Sequence, residues 1–89
     1  GRSMNTLIIA RMKNVTYDEW KKIFDDDSEV QSKMMTNTIV GKVDNHTAMI
    51  STEVFNPEMV QEFMTSDEFI KMEKELGLSH EVYQLIKNN

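Results

Sequence analysis

Two β-branched runs, residues 36–43 (TNTIVGKV) and residues 47–54 (TAMISTEV), stand either side of Asp44-Asn45-His46. Runs of this composition fit a pleated, half-buried surface. Three intervening residues leave no room for a crossover, so the runs must pair antiparallel as a hairpin with a tight turn. This hairpin limits what the rest of the chain can do, because two strands alone are not stable in water and need further strands or a helical cover.

The flanks supply both. Before the hairpin, Leu7-Ile8-Ile9-Ala10-Arg11-Met12 is an apolar run too short for a helix and reads as the first strand. Thr16, with Glu19 three residues later, matches a capping box and starts a helix. Behind that cap Tyr17, Trp20, Ile23 and Phe24 share one side, and Asp18, Lys21, Lys22 and Asp25 take the other. After the hairpin, Asn56-Pro57 is an N-cap followed by proline at the first helical position, and Met59, Val60, Phe63 and Met64 form an apolar stripe. Thr65 or Ser66 can re-cap the chain, and Phe69, Ile70, Met72 and Leu76 continue the stripe. Gly77 is placed for a left-handed stop. The second helix is thus expected to be long and broken near Ser66. Residues 81–86, EVYQLI, read as the closing strand.

The order is β-α-β-β-α-β, an α+β class. Right-handed crossovers then put the first and third strands in the centre of an antiparallel sheet with both helices on one face, the ferredoxin-like arrangement. Ile8, Ala10 and Met12 on the first strand, with Ala48, Ile50, Thr52 and Val54 on the third, are expected to face the helices. The other face would carry Leu7, Ile9, Val40 and Met49 among Arg11, Thr47, Ser51 and Glu53, too apolar to stand in water uncovered.

Size and charge narrow the function. At 89 residues the chain buries only about two-thirds of its unfolded surface, and with no cysteine it has neither disulfides nor thiolate zinc sites to compensate. Partner association is the remaining supplement, and a homodimer is expected. Lys and Arg total 10 against 15 Asp and Glu, a net charge of -5, the wrong sign for a phosphate backbone, so no nucleic acid partner is expected. No apolar run approaches the ~20 residues of a membrane span and no secretory leader is visible, so the expectation is a cytoplasmic protein with no membrane partner. Gly1, Arg2 and Ser3 precede Met4 and read as a cloning remnant, leaving residues 4–89 as one domain. Lys87-Asn88-Asn89 is polar enough to fray.

The element order, with the first helix Tyr17-Asp18-Glu19-Trp20-Lys21-Lys22-Ile23-Phe24 and the second helix Phe63-Met64-Thr65-Ser66-Asp67-Glu68, resembles the dimeric α+β barrel superfamily, most of all its antibiotic biosynthesis monooxygenase-like branch. The resemblance runs from Met4 onward and rests on element order. It implies two sheets facing each other across a dimer, and a small apolar or aromatic ligand held between sheet and helices in each protomer. Members of the superfamily include cofactor-independent monooxygenases, haem-degrading enzymes and isomerases. The haem-degrading branch places a histidine on the second helix and a tryptophan in the sheet region. Here His46 and His80 lie in or beside turns and Trp20 is on the first helix, so haem degradation is not supported and no cofactor is expected.

The residues themselves carry few chemical signals. Asp25-Asp26-Asp27 with Glu29 resembles the start of a calcium loop, but Val30 stands where the turn glycine belongs and Thr36 where the bidentate glutamate does, so a solvated helix end is the better reading and no metal is expected. His46 and His80 are the candidate general bases, since imidazole is the side chain suited to that role near neutral pH, and His80, immediately before the last strand, is the better placed of the two. Trp20, Phe24, Phe63, Phe69 and Tyr83 are expected between sheet and helices, chiefly as core. Eight methionines make that interior adaptable, with Met12, Met49, Met59 and Met64 as candidate lining. Arg11 needs a partner on its strand, and Glu53 is a candidate; otherwise Arg11 binds a ligand's carboxylate or phenolate. The candidate ligand pocket is therefore Met12, Trp20, Phe24, Phe63, Tyr83, His80 and Arg11. Three readings follow: a small-molecule binding module, an enzyme acting on an aromatic metabolite, and a structural dimer with a filled core.

Overall fold

The computed structural model describes residues 5–86, so the readings of residues 1–3 and 87–89 lie outside the described residues. The elements run β1 (Thr6–Met12), α1 (Tyr17–Asp26), α2 (Ser28–Gln31), β2 (Met35–Asp44), β3 (Thr47–Val54), α3 (Pro57–Met64), α4 (Asp67–Leu76) and β4 (Leu78–Gln84). The strands form one antiparallel sheet in the order β2-β3-β1-β4, with β1 and β3 central as expected.

Local chemistry explains the element ends. Thr16 Oγ1 accepts from the Glu19 amide at 3.4 Å, while Glu19 Oε1 accepts from the Thr16 amide at 3.0 Å, closing the capping box of α1. Asn56 accepts from the Met59 amide at 3.2 Å ahead of Pro57, and Ser66 accepts from the Phe69 amide at 3.2 Å to restart the chain as α4. The expected break at Ser66 thus divides the second helix in two. Gly77 ends α4 with φ 62° and ψ 41°.

The helix-facing side of the sheet is legible from register. Ile8 pairs with Ile50 and Ala10 with Ala48 between β1 and β3, and Met12 pairs with Leu78 on β4. Ala10, Met12, Trp20, Ala48, Ile50 and Leu78 form one buried cluster. Two alanines at the sheet centre leave room above them for a large side chain, and Trp20 is the large member of that cluster, flanked by the Tyr17 ring at 5.8 Å and the Phe24 ring at 5.1 Å.

Four expectations are corrected. Val40 pairs with Ile50 and packs on the helix-facing core, so it is not on the open face; that position belongs to Ile39, opposite Ser51. The cause is a bulge between Thr36 and Ile39, where Asn37 takes φ 54° and one extra residue shifts the alternation. The closing strand begins at Leu78 rather than residue 81 and ends at Gln84, so His80 lies inside β4 and not before it. Ile70 is 40 % exposed rather than part of the buried stripe. Residues 28–31 form a short extra helix where a solvated end was expected, with the Gln31 amide donating to Asp27 O at 3.0 Å.

Candidate functional site

Between the helices and the helix-facing side of the sheet lies an apolar cavity of about 100 Å³. Every layer contributes to it: Ile8, Ile50, Leu78 and Val82 from the sheet, Trp20, Ile23 and Phe24 from α1, Phe63 and Met64 from α3, Phe69 and Met72 from α4, Met34 from the connection into β2 and Met35 at the start of β2. The polar exceptions are Thr6, Asp27, Gln31 and His80. Two of these are already engaged locally, since Thr6 Oγ1 donates to Asn5 Oδ1 at 2.8 Å and Gln31 Nε2 donates to Phe24 O at 2.8 Å. Asp27, at the junction of α1 and α2, has its carboxyl pushed above the usual carboxylate range by burial and, secondarily, by the neighbouring charge of Asp26.

His80 is the best-defined polar group in the cavity wall. β4 projects it toward the helices, where its Nδ1 lies 3.1 Å from Glu73 Oε2 on α4 and its ring lies 5.4 Å from that of Phe69. Its side chain is 10 % exposed. A carboxylate only accepts, so Nδ1 carries the hydrogen and, in the neutral ring, Nε2 keeps its lone pair. No hydrogen bond engages Nε2 among the described residues.

Of the residues expected in the pocket, the structure brings Trp20, Phe24, Phe63 and His80 to one cavity. The other three are placed elsewhere. Met12 is fully buried in the core cluster beside the cavity and does not line it. Arg11 and Tyr83 occupy the opposite face of the sheet, because Arg11 pairs with Thr47 and Ser79, and Tyr83 with Leu7, all open-face positions. There Arg11 forms its ion pair with Glu81 rather than Glu53, and the Tyr83 hydroxyl donates to the same Glu81 carboxylate at 2.6 Å. Met49 is likewise on the open face and 40 % exposed, and Met59 packs outside the cavity. Met34 and Met35 escape sequence reading because they sit where the connection meets the first residue of β2, a stretch with no periodicity. Glu73 escapes it because nothing along α4 separates it from the other surface carboxylates.

His46 is held in place rather than free. Its Nδ1 is 3.0 Å from both Met12 O and Val15 O, and its amide donates to Asp44 Oδ1 at 2.8 Å. The ring thereby ties the hairpin turn to the β1–α1 loop. The His46 amide, and after it the Thr47 hydroxyl, hold Asp44 below the usual carboxylate range. A carboxylate with a depressed folded value contributes stability that is present above its unfolded value, about pH 4, and is lost as pH falls through the folded one. Asp44→Asn is accordingly expected to lower the urea midpoint at neutral pH and to show a shallower loss on acidification than the parent. Parallel acid limbs for the two proteins would contradict this.

No group of three or more His, Asp or Glu side chains converges as a cation site among the described residues. No helix among them is long and apolar enough to cross a membrane.

Fold and register define a ferredoxin-like α+β domain with a part-open apolar cavity between its helices and sheet. The chain is similar in structure to SnoaB, a cofactor-independent oxygenase from Streptomyces nogalater, with TM-score 0.57 and 7 % identity over 97 % of this chain and 97 % of that one. A conserved protein from Methanosarcina mazei Go1 aligns at TM-score 0.45 and 10 % identity over 90 % and 92 % of the two chains. The likeness to SnoaB bears out the fold that the element order suggested. No family model and no curated protein matches the sequence.

Proposed function

We propose that this protein binds a small apolar or aromatic molecule between its sheet and helices, and that two copies pair through their open sheet faces as a dimeric α+β barrel. The cavity carries the first part. The cavity opens part-way to solvent, so its apolar lining meets water when nothing is bound, and an apolar occupant removes that surface from water. Lining methionines at positions 34, 35, 64 and 72 let the space adapt to an occupant.

The open face supports the second part. Ile39, Met49 and Tyr83 are 67 %, 40 % and 47 % exposed, and Leu7 and Ile9 lie between them on the central strand. An apolar sheet face of this kind is self-complementary under a two-fold axis and is covered by a second copy of itself. Native mass spectrometry reads both parts at once. The expected result is a dimer, with mass added on exposure to toluene; a monomer removes the barrel, and a dimer that never takes up an apolar ligand removes the binding role.

A second reading, an enzyme that oxidises or rearranges an aromatic metabolite without a cofactor, is favoured by His80 in the cavity wall and by the activity named for SnoaB. Fold alone does not transmit chemistry. Oxygen uptake with a hydroquinone substrate that is lost in His80→Phe supports that reading, and absence of uptake removes it. The filled-core dimer is the weakest of the three, because the core is not filled.

A further inference from the structure

We infer that His80, fixed by Glu73, is the polar anchor of the cavity, and that the molecule it selects is a single-ring aromatic carrying one acidic hydroxyl, of the phenol class. This rests on the cavity being a ligand site and adds which ligand it takes.

The size of the space sets the body of the molecule. An apolar cavity of roughly 150 Å³ takes up benzene. At about 100 Å³, this one is sized for one ring once its methionine walls give slightly, rather than for a fused ring system. The chemistry of the wall sets the head group. With Nδ1 donating to Glu73 Oε2 at 3.1 Å, His80 offers the cavity an acceptor at Nε2 and no donor. A ligand with a single O–H satisfies that acceptor, whereas an ether or hydrocarbon of the same shape leaves it unpaired.

The remaining titratable group in the wall is Asp27, which has no hydrogen-bond donor among the described residues and is the competing acceptor.

The test compares phenol with anisole, the same ring with its hydroxyl methylated, using the indole signal of Trp20 in nuclear magnetic resonance titrations. Trp20 is the chain's single tryptophan and lines the cavity, so its signal reports occupancy. Phenol is expected to bind about tenfold more tightly than anisole, the worth of one hydrogen bond to a buried acceptor. That ratio should fall to near one in His80→Phe, with anisole binding retained, and should survive Asp27→Asn. Glu73→Lys changes a partly exposed side chain on α4, is therefore expected to fold, and presents only donors to Nδ1, which moves the ring hydrogen to Nε2; it should reduce the ratio several-fold. Equal binding of the two ligands by the parent, a ratio that persists in His80→Phe or Glu73→Lys, or one lost in Asp27→Asn overturns the assignment to His80 and leaves the cavity reading intact. If neither ligand moves the Trp20 signal, the cavity reading itself fails.

Discussion

Trp20→Ala is expected to destabilise the protein by about 3 to 5 kcal/mol, the usual cost of truncating a large aromatic in a core that cannot collapse around the gap. Trp20 is 3 % exposed, shares its cluster with Ala10, Met12, Ala48, Ile50 and Leu78, and packs against the rings of Tyr17 and Phe24. The two alanines below it have no atoms to move into the space, so little relaxation is available. A domain of 89 residues has roughly 5 to 13 kcal/mol of stability on the usual per-residue scale, so the loss takes from about a quarter of it to all of it. The melting temperature should fall by roughly 12 to 40 °C. Urea denaturation at one fixed protein concentration checks the value, since association would otherwise shift both curves. A loss below about 1 kcal/mol would mean that Trp20 is not packed in solution as described. Because the same truncation widens the cavity, benzene should raise the melting temperature of Trp20→Ala more than that of the parent.

The second large effect is at Gly77. With φ 62° it sits where an L side chain is strained by about 1 to 2 kcal/mol, and a Cβ built there lies 2.9 Å from Lys13 Cβ and 3.0 Å from Asn14 Nδ2. The atoms it meets cannot easily retreat. The Lys13 amide donates to Gly77 O and the Asn14 amide to Leu76 O, both at 3.0 Å, while Asn14 Nδ2 donates to Glu75 O at 3.1 Å. The β1–α1 loop is therefore bound to the end of α4, and added volume must break that junction. Gly77→Ala is expected to cost about 2 to 4 kcal/mol, the conformational and overpacking contributions together. Gly77→Asn tolerates the left-handed backbone but still carries a Cβ, so it should recover only the conformational share. Full recovery by asparagine would show that the contact with Lys13 costs nothing.

Most of the architecture is local information. The capping box at Thr16 and Glu19, the Asn56-Pro57 start, the Ser66 re-cap and the Gly77 stop each depend on residues within one turn of the helix end, and each forms as its spacing implies. The alternation in β1 and β3 likewise assigns Ile8, Ala10, Ala48 and Ile50 to one face through the two-residue period alone. Where a bulge interrupts that period the reading slips, as Val40 and Ile39 show beyond Asn37. The start of β4 was displaced for a related reason: Leu78, Ser79 and His80 carry little strand propensity and join the sheet because β1 offers them partners at Met12, Arg11 and Ala10.

The candidate site divides the same way. That Trp20, Phe24 and Phe63 belong to an interior was readable, because an amphipathic stripe states which side of a helix turns inward. Sequence determined the elements, their order and the helix-facing half of the central strands, all matters of spacing along one stretch of chain. Tertiary structure alone decided that Arg11 and Tyr83 stand on the far face with Glu81, that Met34 and Met35 line the cavity, and that Glu73 meets His80. The physical reason is that those contacts join separate elements. Which side chains meet there depends on register and on how each helix is seated, quantities that no local pattern encodes.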